Sequence, residues 1–434
     1  MARFQQLNGF LWYGFPVLMA GVMPVNPRFT SYVYILWCVF ALIARWMPPP
    51  TAVPHETPRG WGWVLGTPVI LYLAHGCAML WTDNWSEGWF QLESKLALLV
   101  TPWLAWETLR RVHGEARPKL WRSLAWAFVV GWCVHMCWVW IRFLGFVWRH
   151  EWPLPWRYQK LASPFHPSYA AFYLLWAGLL LVLLTSQRNR GLRWLLLPWS
   201  AHLGLLASKA GWVLGAGFWV LAGQRYRTWK QRLLIAASLA LLIGLGGLAG
   251  SKRVSEWVGW MAAQELGRSE GLAPGEALPV PAKTGSTGGR VQAWKGAWGV
   301  LWEHPGGVGP GDAPQVLDAA YQDSGFDYAL KKHLNPHNQW LQWGVSLGWF
   351  GLLLLVFWWS LWGWIAWKNS KPMLLILLVM ISLNALFESV LELQAGVVFV
   401  VFWSCFGLAL EPRHPFPWPL GNGRRRGDQA LASL

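Results

Sequence analysis

Apolar blocks close to the length of a membrane span recur along this chain of 434 residues. A helix needs about 20 consecutive apolar residues to cross a bilayer, so a chain built from such blocks is strongly constrained. Hydrophobic residues account for 55% of the sequence and charged residues for only 13%. Many of the 39 tryptophans flank the blocks, as is typical of rings at the headgroup level. The sequence therefore predicts an all-α polytopic membrane protein.

Basic residues between the blocks indicate the topology. The formal net charge is +16, yet residues 251–338 carry eight Lys/Arg and nine Asp/Glu, so the other segments hold +17. Because this charge lies in short loops, it predicts cytoplasmic loops and no nucleic-acid partner. The basic clusters are Arg110/Arg111/Arg117/Lys119/Arg122, Arg188/Arg190/Arg193, Arg225/Arg227/Lys230/Arg232, Lys368/Lys371 and Arg413/Arg424/Arg425/Arg426.

About twelve spans satisfy every cluster and place both termini in the cytoplasm. The first lacks a strong basic leader region and a clear cleavage site, so it is interpreted as a retained helix. The spans cover roughly 8–25, 30–46, 63–81, 92–108, 123–147, 168–186, 193–208, 210–223, 233–250, 340–367, 372–389 and 395–410. The chain then divides into spans 1–9 (residues 1–250), an outer loop (251–338), spans 10–12 (339–410) and a basic cytoplasmic tail (411–434).

The outer loop between spans nine and ten is expected to carry function, because long structureless loops are uncommon in compact proteins. Two sets of apolar residues recur at helical spacing: Val254, Trp257, Val258 and Met261, and Val291, Trp294, Trp298 and Leu301. Both sets predict helices that lie on the membrane. Residues 271–289 between them are rich in Gly, Pro, Ala and Thr without periodicity, which indicates a flexible stretch.

Residues 193–223 are apolar but have basic clusters at both ends, so this segment must turn back within or across the membrane. The turn falls near Ser208-Lys209-Ala210-Gly211. Each arm of about 15 residues spans about 23 Å, less than the hydrocarbon core, so Lys209 is expected at or below the outer interface. A lysine there needs an anionic partner, and a lipid pyrophosphate is one candidate. The alternatives are a snorkelling lysine and a pair with Glu93, Glu388 or Glu392.

The polar segment Asn335-Pro336-His337-Asn338-Gln339 meets the tenth span and places an imidazole at a membrane surface. Histidine has an unperturbed pKa of about 6.5 and can take a proton near neutral pH, so His337 is a candidate general base. Asn335 and Asn338 are good helix caps, which gives the segment a plain structural interpretation as well. Capping, however, requires no imidazole.

Three further positions are candidates for binding. Arg290 begins a predicted helix and could bind a phosphate through its fork of donors, although a loop arginine is more often solvated. His166, at the outer start of the sixth span, could contact substrate or cap the helix. Glu388 and Glu392 lie at i and i+4 near the outer end of the eleventh span, so one helix face should carry both and pair with a pocket cation.

Several motifs for other chemistry are missing from the sequence. The glycine-rich run Gly307-Val308-Gly309-Pro310-Gly311-Asp312 lacks the Gly-Lys-Ser/Thr ending of a P-loop, and there is no HExxH. The chemistry is therefore expected to need neither metal nor cofactor. Cysteines lie inside apolar blocks without repeated metal-ligand spacing and predict no disulfide framework. They are Cys38, Cys77, Cys133, Cys137 and Cys405.

His337-Asn338, nine residues and then Gly348-Trp349-Phe350-Gly351 resemble the signature of the O-antigen ligase/polymerase superfamily. Other segments resemble the family in the expected order: Arg290 with Trp294, then Pro305, Gly309 and Gly311-Asp312, and the helix start His166-Pro167-Ser168-Tyr169. The similarity extends over essentially the whole chain. Many members have an arginine where this sequence has Lys209, which keeps the charge but loses the bidentate fork.

The resemblance implies a GT-C-type, metal-independent glycosyltransferase of the bacterial inner membrane, with a periplasmic active site and an undecaprenyl-pyrophosphate-linked glycan as donor. We hypothesise that His337 deprotonates an acceptor hydroxyl for an inverting attack. Lys209 and Arg290 would stabilise charge on the departing pyrophosphate. Further candidates for substrate binding are His166, Tyr169, Asn338 and Glu388.

The acceptor distinguishes three related activities. A ligase transfers the glycan to the lipid A-core, a polymerase to another lipid-linked repeat, and a protein O-oligosaccharyltransferase to Ser or Thr. The single large outer loop and the motif order favour the ligase, with the polymerase close behind. A transporter of lipid-linked sugars is the alternative from another class, but it should show related repeat halves and polar residues near the midplane. The sequence shows no obvious repeat.

Overall fold

The computed structural model describes residues 2–46, 61–149, 158–185, 187–223, 229–247 and 287–412, and the regular structure in these ranges is helical. The helices before the outer loop are α1 (Ala2–Val22), α2 (Pro27–Ala44), α3 (Trp61–Ala78), α4 (Trp85–Lys95), α5 (Ala97–Leu109), α6 (Ala116–Trp148), α7 (Tyr158–Ala162), α8 (Pro167–Leu184), α9 (Leu196–Leu205), α10 (Lys209–Gly223) and α11 (described over Trp229–Gly247). The later helices are α12 (Thr287–Glu303), α13 (Ala313–Asp323), α14 (Asp327–Lys332), α15 (Gln339–Lys368), α16 (Pro372–Ala385) and α17 (Gln394–Leu410). Short 3-10 helices cover Met79–Trp81 and Gln187–Leu195.

Among the described helices, six are long and apolar enough to cross a membrane: α2, α3, α6, α8, α11 and α15. Helices α10, α16 and α17 are apolar but shorter. The chain is therefore a multi-pass helical membrane protein, as the apolar blocks predict. Each predicted span overlaps a described helix, although the fourth is interrupted at Leu96, between α4 and α5, and the eleventh is predicted to continue to 389 whereas α16 ends at Ala385. The count of twelve spans, the GT-C assignment and the orientation of the termini stay predictions.

Helix α17 lies at the centre of the bundle. Its residues from Gly396 to Leu408 are all buried, which is the pattern of a helix that is apolar on every side. Trp403 packs against Trp121, Phe128 and Trp176, with ring centroids 5.3 to 5.8 Å apart. Residues 386–393 connect α16 to α17, so the buried position of α17 fixes the C-terminal end of this connection.

Helices α9 and α10 form the predicted hairpin, with the turn at residues 206–208. Ser208 Oγ accepts a hydrogen bond from the backbone N–H of Gly211 at 3.2 Å, which helps start α10. Trp212 Nε1 donates across the hairpin to the carbonyl of Gly204 at 3.2 Å. Lys209 is the first residue of α10, but its side chain lies outside what the structure describes.

Helices α12, α13 and α14 form a small domain with a core of its own, which we call the outer domain because the sequence predicts that it lies outside the cytoplasm. Residues 251–286, which include the predicted helix near Val254–Met261 and most of the glycine-rich stretch, lie outside the described part of the chain. The predicted helix at Val291–Leu301 is confirmed as α12. The core consists of Ala293, Ala297, Val300, Val308, Ala313, Leu317, Tyr321, Phe326, Ala329 and Val345. Because Val345 belongs to α15, the outer domain shares its core with the start of a long apolar helix.

Gly348 interrupts α15 inside the outer domain's contact with the bundle. Its φ of 68° lies in the left-handed region, and a Cβ there would meet the carbonyl oxygen of Pro305 at 2.1 Å. Only glycine fits such a close approach. The interruption leaves backbone groups without helical partners, and another segment supplies them. The hydrogen bonds run from Val308 N to Val345 O, from Gly309 N to Ser346 O and from Trp349 N to Pro305 O, at 2.9 to 3.0 Å.

The glycine-rich run that ends at Asp312 packs against the residues that precede α4. A Cβ at Gly309 would meet Thr82 Oγ1 at 2.1 Å, so the backbone passes very close to the start of α4. The Asp312 carboxylate accepts hydrogen bonds from the backbone N–H groups of Asp83 and Asn84, both at 2.8 Å. These contacts account for the glycines and the aspartate by packing alone.

Candidate functional site

Glu388 lies in the connection 386–393, where side chains from three distant segments meet. Its Oε1 accepts hydrogen bonds from Arg290 Nη2 and from Ser168 Oγ, both at 2.8 Å. Its Oε2 lies 3.3 Å from His337 Nδ1. The carboxylate is only 6% exposed, so it depends on these partners for solvation. Helices α8 and α12 and the approach to α15 thus converge on one carboxylate.

The prediction that Glu388 and Glu392 share a helix face is wrong. Helix α16 ends at Ala385, and both glutamates lie in the irregular connection that follows. Each does pair with a cation, but the partners differ: Glu388 with Arg290 and Glu392 with Lys95, both at 2.8 Å. The apolar run continues past the end of α16 in the sequence, but side chains from α8 and α15 bind the backbone of the connection and keep it from continuing as a helix.

His337 has a backbone conformation that favours glycine, with φ at 46°. Such a conformation costs a residue with a Cβ about 1–2 kcal/mol. The flanking asparagines hold it: Asn335 Oδ1 accepts the His337 N–H at 2.9 Å, and Asn338 Oδ1 caps α15 by accepting from Leu341 N at 3.1 Å. The imidazole therefore points Nδ1 at Glu388, with Nε2 on the opposite side of the ring. The side chain remains 30% exposed.

Helix α12 supplies Arg290 from its first turn. Its side chain is 30% exposed, so the guanidinium can reach a ligand while it contacts Glu388. Guanidinium carries five N–H donors, more than one carboxylate contact consumes. One turn later, Trp294 Nε1 donates to the carbonyl of Pro336 at 2.9 Å. This bond holds α12 against the residue that precedes His337, so the arginine and the histidine stay close.

Two other predicted site residues hold the connection in place. Tyr169 is buried, and its hydroxyl donates to the carbonyl of Ser389 at 3.0 Å. Asn338 Nδ2 donates to the carbonyl of Leu386 at 3.2 Å. These bonds bind backbone groups on either side of Glu388. Contact of Tyr169 or Asn338 with substrate stays a prediction.

His166 caps α8, one of the two roles considered for it. Its Nδ1 accepts from the Ser168 N–H at 3.4 Å, and its backbone is extended, as at an N-cap. The imidazole is exposed and close enough to Glu388 to act on that carboxylate electrostatically. A substrate contact for His166 therefore stays a prediction alongside the cap that the structure contains.

The charges around Glu388 keep it ionised. Burial alone raises the pKa of this carboxyl, but the hydrogen bond from His337 and the positive charges of Arg290, His337 and His166 outweigh that effect and lower its pKa to about 2. The carboxylate is therefore a permanent acceptor near neutral pH. It can orient the imidazole, and it offsets part of the positive charge of the site before a ligand arrives.

The site can combine proton transfer with anion binding. A partly exposed imidazole oriented by a carboxylate is suited to accept a proton at Nε2, and a partly exposed guanidinium beside it is suited to bind a phosphate. Within the described ranges, no group of three or more His, Cys, Asp or Glu side chains is placed to hold a metal ion. Both groups contact the same carboxylate, so a ligand that reaches one is close to the other.

The structure brings Arg290, His337, Glu388 and His166 together from separate parts of the sequence, while the side chain of Lys209 lies beyond the described atoms. Sequence reasoning missed Ser168 as a site residue. A signal was present, because Ser168 belongs to the helix-start segment that resembles the family. It was overlooked because nothing local in the sequence links a serine at a helix start to a carboxylate 220 positions away.

The fold and the site define a multi-pass helical membrane protein with a paired imidazole and guanidinium beside its outer domain. Residues 168–356 match the family described as O-antigen ligase. This match supports the O-antigen ligase/polymerase superfamily and so confirms, over these residues, the resemblance recognised from the sequence. The matched segment contains Arg290 and His337, whereas Glu388 lies beyond its end. A search of curated proteins gave no match.

Proposed function

We propose that this protein is an O-antigen ligase of the bacterial inner membrane. It would transfer a glycan from undecaprenyl pyrophosphate to a sugar hydroxyl of the lipid A-core, on the periplasmic face. The family match and the multi-pass helical architecture support the general class. The ligase is favoured over the polymerase by the single large outer loop and the motif order.

In this proposal His337 is the general base. Its Nε2 takes the proton from the acceptor hydroxyl as the hydroxyl oxygen bonds to the anomeric carbon of the donor glycan. The bond between that carbon and the pyrophosphate oxygen breaks, and its electron pair leaves with the lipid pyrophosphate. The configuration at the anomeric carbon inverts. The proton then passes from the imidazolium to solvent, which the 30% exposure of this side chain permits.

Glu388 sets the histidine tautomer. A carboxylate that accepts from Nδ1–H keeps the lone pair on Nε2 and stabilises the imidazolium that forms. Arg290, held by the same carboxylate, binds the pyrophosphate oxygens and stabilises the charge that builds up on them. Lys209 is assigned the same role from sequence. Cleavage of the glycosyl–phosphate bond supplies the driving force, so the reaction needs neither nucleotide nor metal.

One observation carries the proposal: His337 and Arg290, from opposite ends of the outer domain, both contact the carboxylate of Glu388, at 3.3 Å and 2.8 Å. A structural ion pair needs only one cation. Two partly exposed groups on one buried carboxylate give a base and an anion-binding group at adjacent positions. Glycosyl transfer from a pyrophosphate needs that pair of functions in the same place.

The test uses purified protein in lipid nanodiscs, supplied with lipid-pyrophosphate-linked glycan and lipid A-core, with products resolved by mass. His337→Asn is the matched control, because asparagine tolerates the left-handed backbone but is not a base at neutral pH. Transfer of glycan to lipid A-core by the wild type but not by His337→Asn supports the ligase. Lengthening of the lipid-linked glycan instead identifies a polymerase, and glycan on a protein acceptor identifies the protein glycosyltransferase. Donor that crosses the membrane unchanged identifies a transporter.

A further inference from the structure

The other glutamate of the connection, Glu392, lies in a sealed polar cluster that the proposed reaction does not use. Its Oε2 accepts from Lys95 Nζ at 2.8 Å, and the two side chains are 10% and 2% exposed. Its Oε1 accepts from Gln339 Nε2 at 3.0 Å and from Trp343 Nε1 at 3.1 Å. Gln339 and Trp343 are fully buried. Glu392 therefore has three donors and little access to water or to a ligand.

Stability alone does not account for a buried ion pair at this place. Apolar residues of similar size often replace such pairs without loss of stability, because removal of two charges from water is costly. Burial raises the pKa of Glu392, but the charge and hydrogen bond of Lys95 and the hydrogen bond of Gln339 lower it further, so the net direction is down. The carboxyl is thus ionised, and its acceptor capacity is used by groups that come from α4 and α15.

The cluster joins the segment that carries His337 to the segment that carries Glu388. Gln339, two residues after His337, donates to Glu392 and also accepts the Leu391 N–H through Oε1 at 2.5 Å. At the other end of the connection, Asn338 donates to the Leu386 carbonyl. The two segments are therefore bound together on both sides of the His337–Glu388 contact. That contact is 3.3 Å long, so its geometry depends on how firmly the two segments are held.

We propose that Lys95 and Glu392 are positioning residues for the base: the buried pair fixes the connection so that Glu388 meets His337 Nδ1. This inference rests on the proposed function for its catalytic consequence. Lys95 acts at a distance, through Glu392 and Gln339, and touches no substrate. Loss of one charge leaves the other buried without its counter-charge, even though Lys95 still donates to Gln91 Oε1 at 2.9 Å, so the connection moves to solvate it and Glu388 leaves its place.

The decisive experiment measures kcat and the donor KM for Glu392→Gln in two backgrounds. In the wild-type background we expect kcat to fall about 10–100-fold with little change in KM, by analogy with the loss on removing groups that orient metal ligands. In the Glu388→Gln background the same substitution should have almost no further effect, because the path it acts through is already broken. Equal losses in both backgrounds would overturn the proposal.

Two more variants separate positioning from general damage. Lys95→Met combined with Glu392→Gln removes both charges and keeps an amide oxygen for Gln339 and Trp343, so it should recover most of the activity that Glu392→Gln loses. Lys371→Met is the matched control, because Lys371 is another buried lysine, bonded to the Glu411 carbonyl at the other end of α16. It should retain transfer per folded molecule. A double variant as slow as Glu392→Gln would contradict a role for the charge pair.

Hydrogen exchange over residues 386–393 tests positioning without any turnover. The Leu391 amide is bonded to Gln339 in the structure, so Glu392→Gln and Lys95→Met should speed its exchange while Lys371→Met leaves it unchanged. Unchanged exchange in the first two variants would overturn the inference. If the wild type transfers no glycan, the proposed function fails, and the exchange result still decides whether the pair holds the connection.

Discussion

Two carboxylates of one short connection are held in contrasting ways. Glu388 faces Arg290 and His337, whose side chains are each 30% exposed, whereas Glu392 faces Lys95, which is 2% exposed. A partly exposed partner can turn toward an incoming ligand, while a sealed partner cannot. We call Glu388 with its two partners the responsive end, and Glu392 with Lys95 the fixed end. In our proposal the reaction takes place at the responsive end, and the fixed end holds Glu388 in position for it.

The largest effect is expected from a change at the responsive end that removes the base alone. His337→Asn should lower transfer about 10²–10⁴-fold, the range for loss of a general base. The fold should survive, because asparagine accepts the left-handed backbone and can still donate to Glu388. Initial rates, with product resolved by mass, check the first point and thermal denaturation in detergent the second. A variant that keeps more than about one-tenth of the rate would contradict the role.

Substitution of Arg290 tests whether the responsive end needs the bidentate donors of a guanidinium or only a positive charge. Arg290→Ala should lower kcat/KM for the donor about 10²–10³-fold, as for loss of one transition-state donor. Arg290→Lys keeps a point charge beside Glu388 but loses bidentate geometry, so its loss should be smaller. Kinetics at varied donor concentration measure both. Donor kinetics in the alanine variant that match the wild type would remove Arg290 from pyrophosphate binding.

Neutralisation of the carboxylate should have a milder effect on the same end. Glu388→Gln keeps an oxygen that accepts from Arg290 and Ser168, yet it no longer stabilises an imidazolium at His337. We expect kcat to fall about 10–100-fold while the donor KM changes little. Steady-state kinetics separate the two constants. A rise in KM with kcat unchanged would assign Glu388 to substrate binding, as the sequence first suggested.

The smallest effect concerns the pH dependence of stability. It contrasts Glu388, which pairs with Arg290, with Glu411, whose carboxylate oxygens accept from the backbone N–H groups of Met373 and Leu374. Burial raises the pKa of Glu411 from 4.5 to about 7, although the N–H groups of Met373 and Leu374 and the charge of Lys371 act against it. A raised folded-state pKa means that this stability is complete below pH 4.5 and is lost as the pH rises to about 7.

The sign is opposite at Glu388, whose pKa is lowered from 4.5 to about 2, so its contribution is complete above pH 4.5 and is lost as the pH falls toward 2. Thermal denaturation in detergent across this range should show Glu411→Gln without the loss between pH 4.5 and 7, and Glu388→Gln without the loss in acid. Identical profiles for these two variants would show that the two carboxyls do not differ as described.

Much of the fold follows from the sequence because the bilayer restricts the options. Apolar blocks longer than a core helix have few other structures, and the Ser208–Gly211 turn is marked by charge on both sides of its hairpin. The end of α16 does not follow in this way. No glycine or proline stops the helix after Ala385, and what ends it is tertiary: Tyr169 and Asn338 bind backbone groups of the connection.

The sequence points to single candidate residues of the site, but it does not show which of them pair in the fold. His337 stands out by type and by its place beside an apolar span, whereas Arg290 becomes a strong candidate only through the family resemblance. Lys95 does not stand out, because its partner Glu392 is 297 positions away and nothing in the local sequence links them. The sequence likewise does not show that Glu388 and Glu392 lie in different environments, because this depends on the path that the chain takes through the fold.

The interruption at Gly348 also has a consequence for the order of assembly. The backbone groups that it frees are satisfied by residues 305–309, which precede it in the chain and belong to the outer domain. Insertion into the membrane is therefore not enough to complete α15, because the backbone groups near Gly348 have no hydrogen-bond partners until residues 305–309 are in place. Biogenesis of the outer part and insertion of this span must therefore finish together, and a nascent chain without its outer domain would leave polar backbone unpaired at the membrane surface.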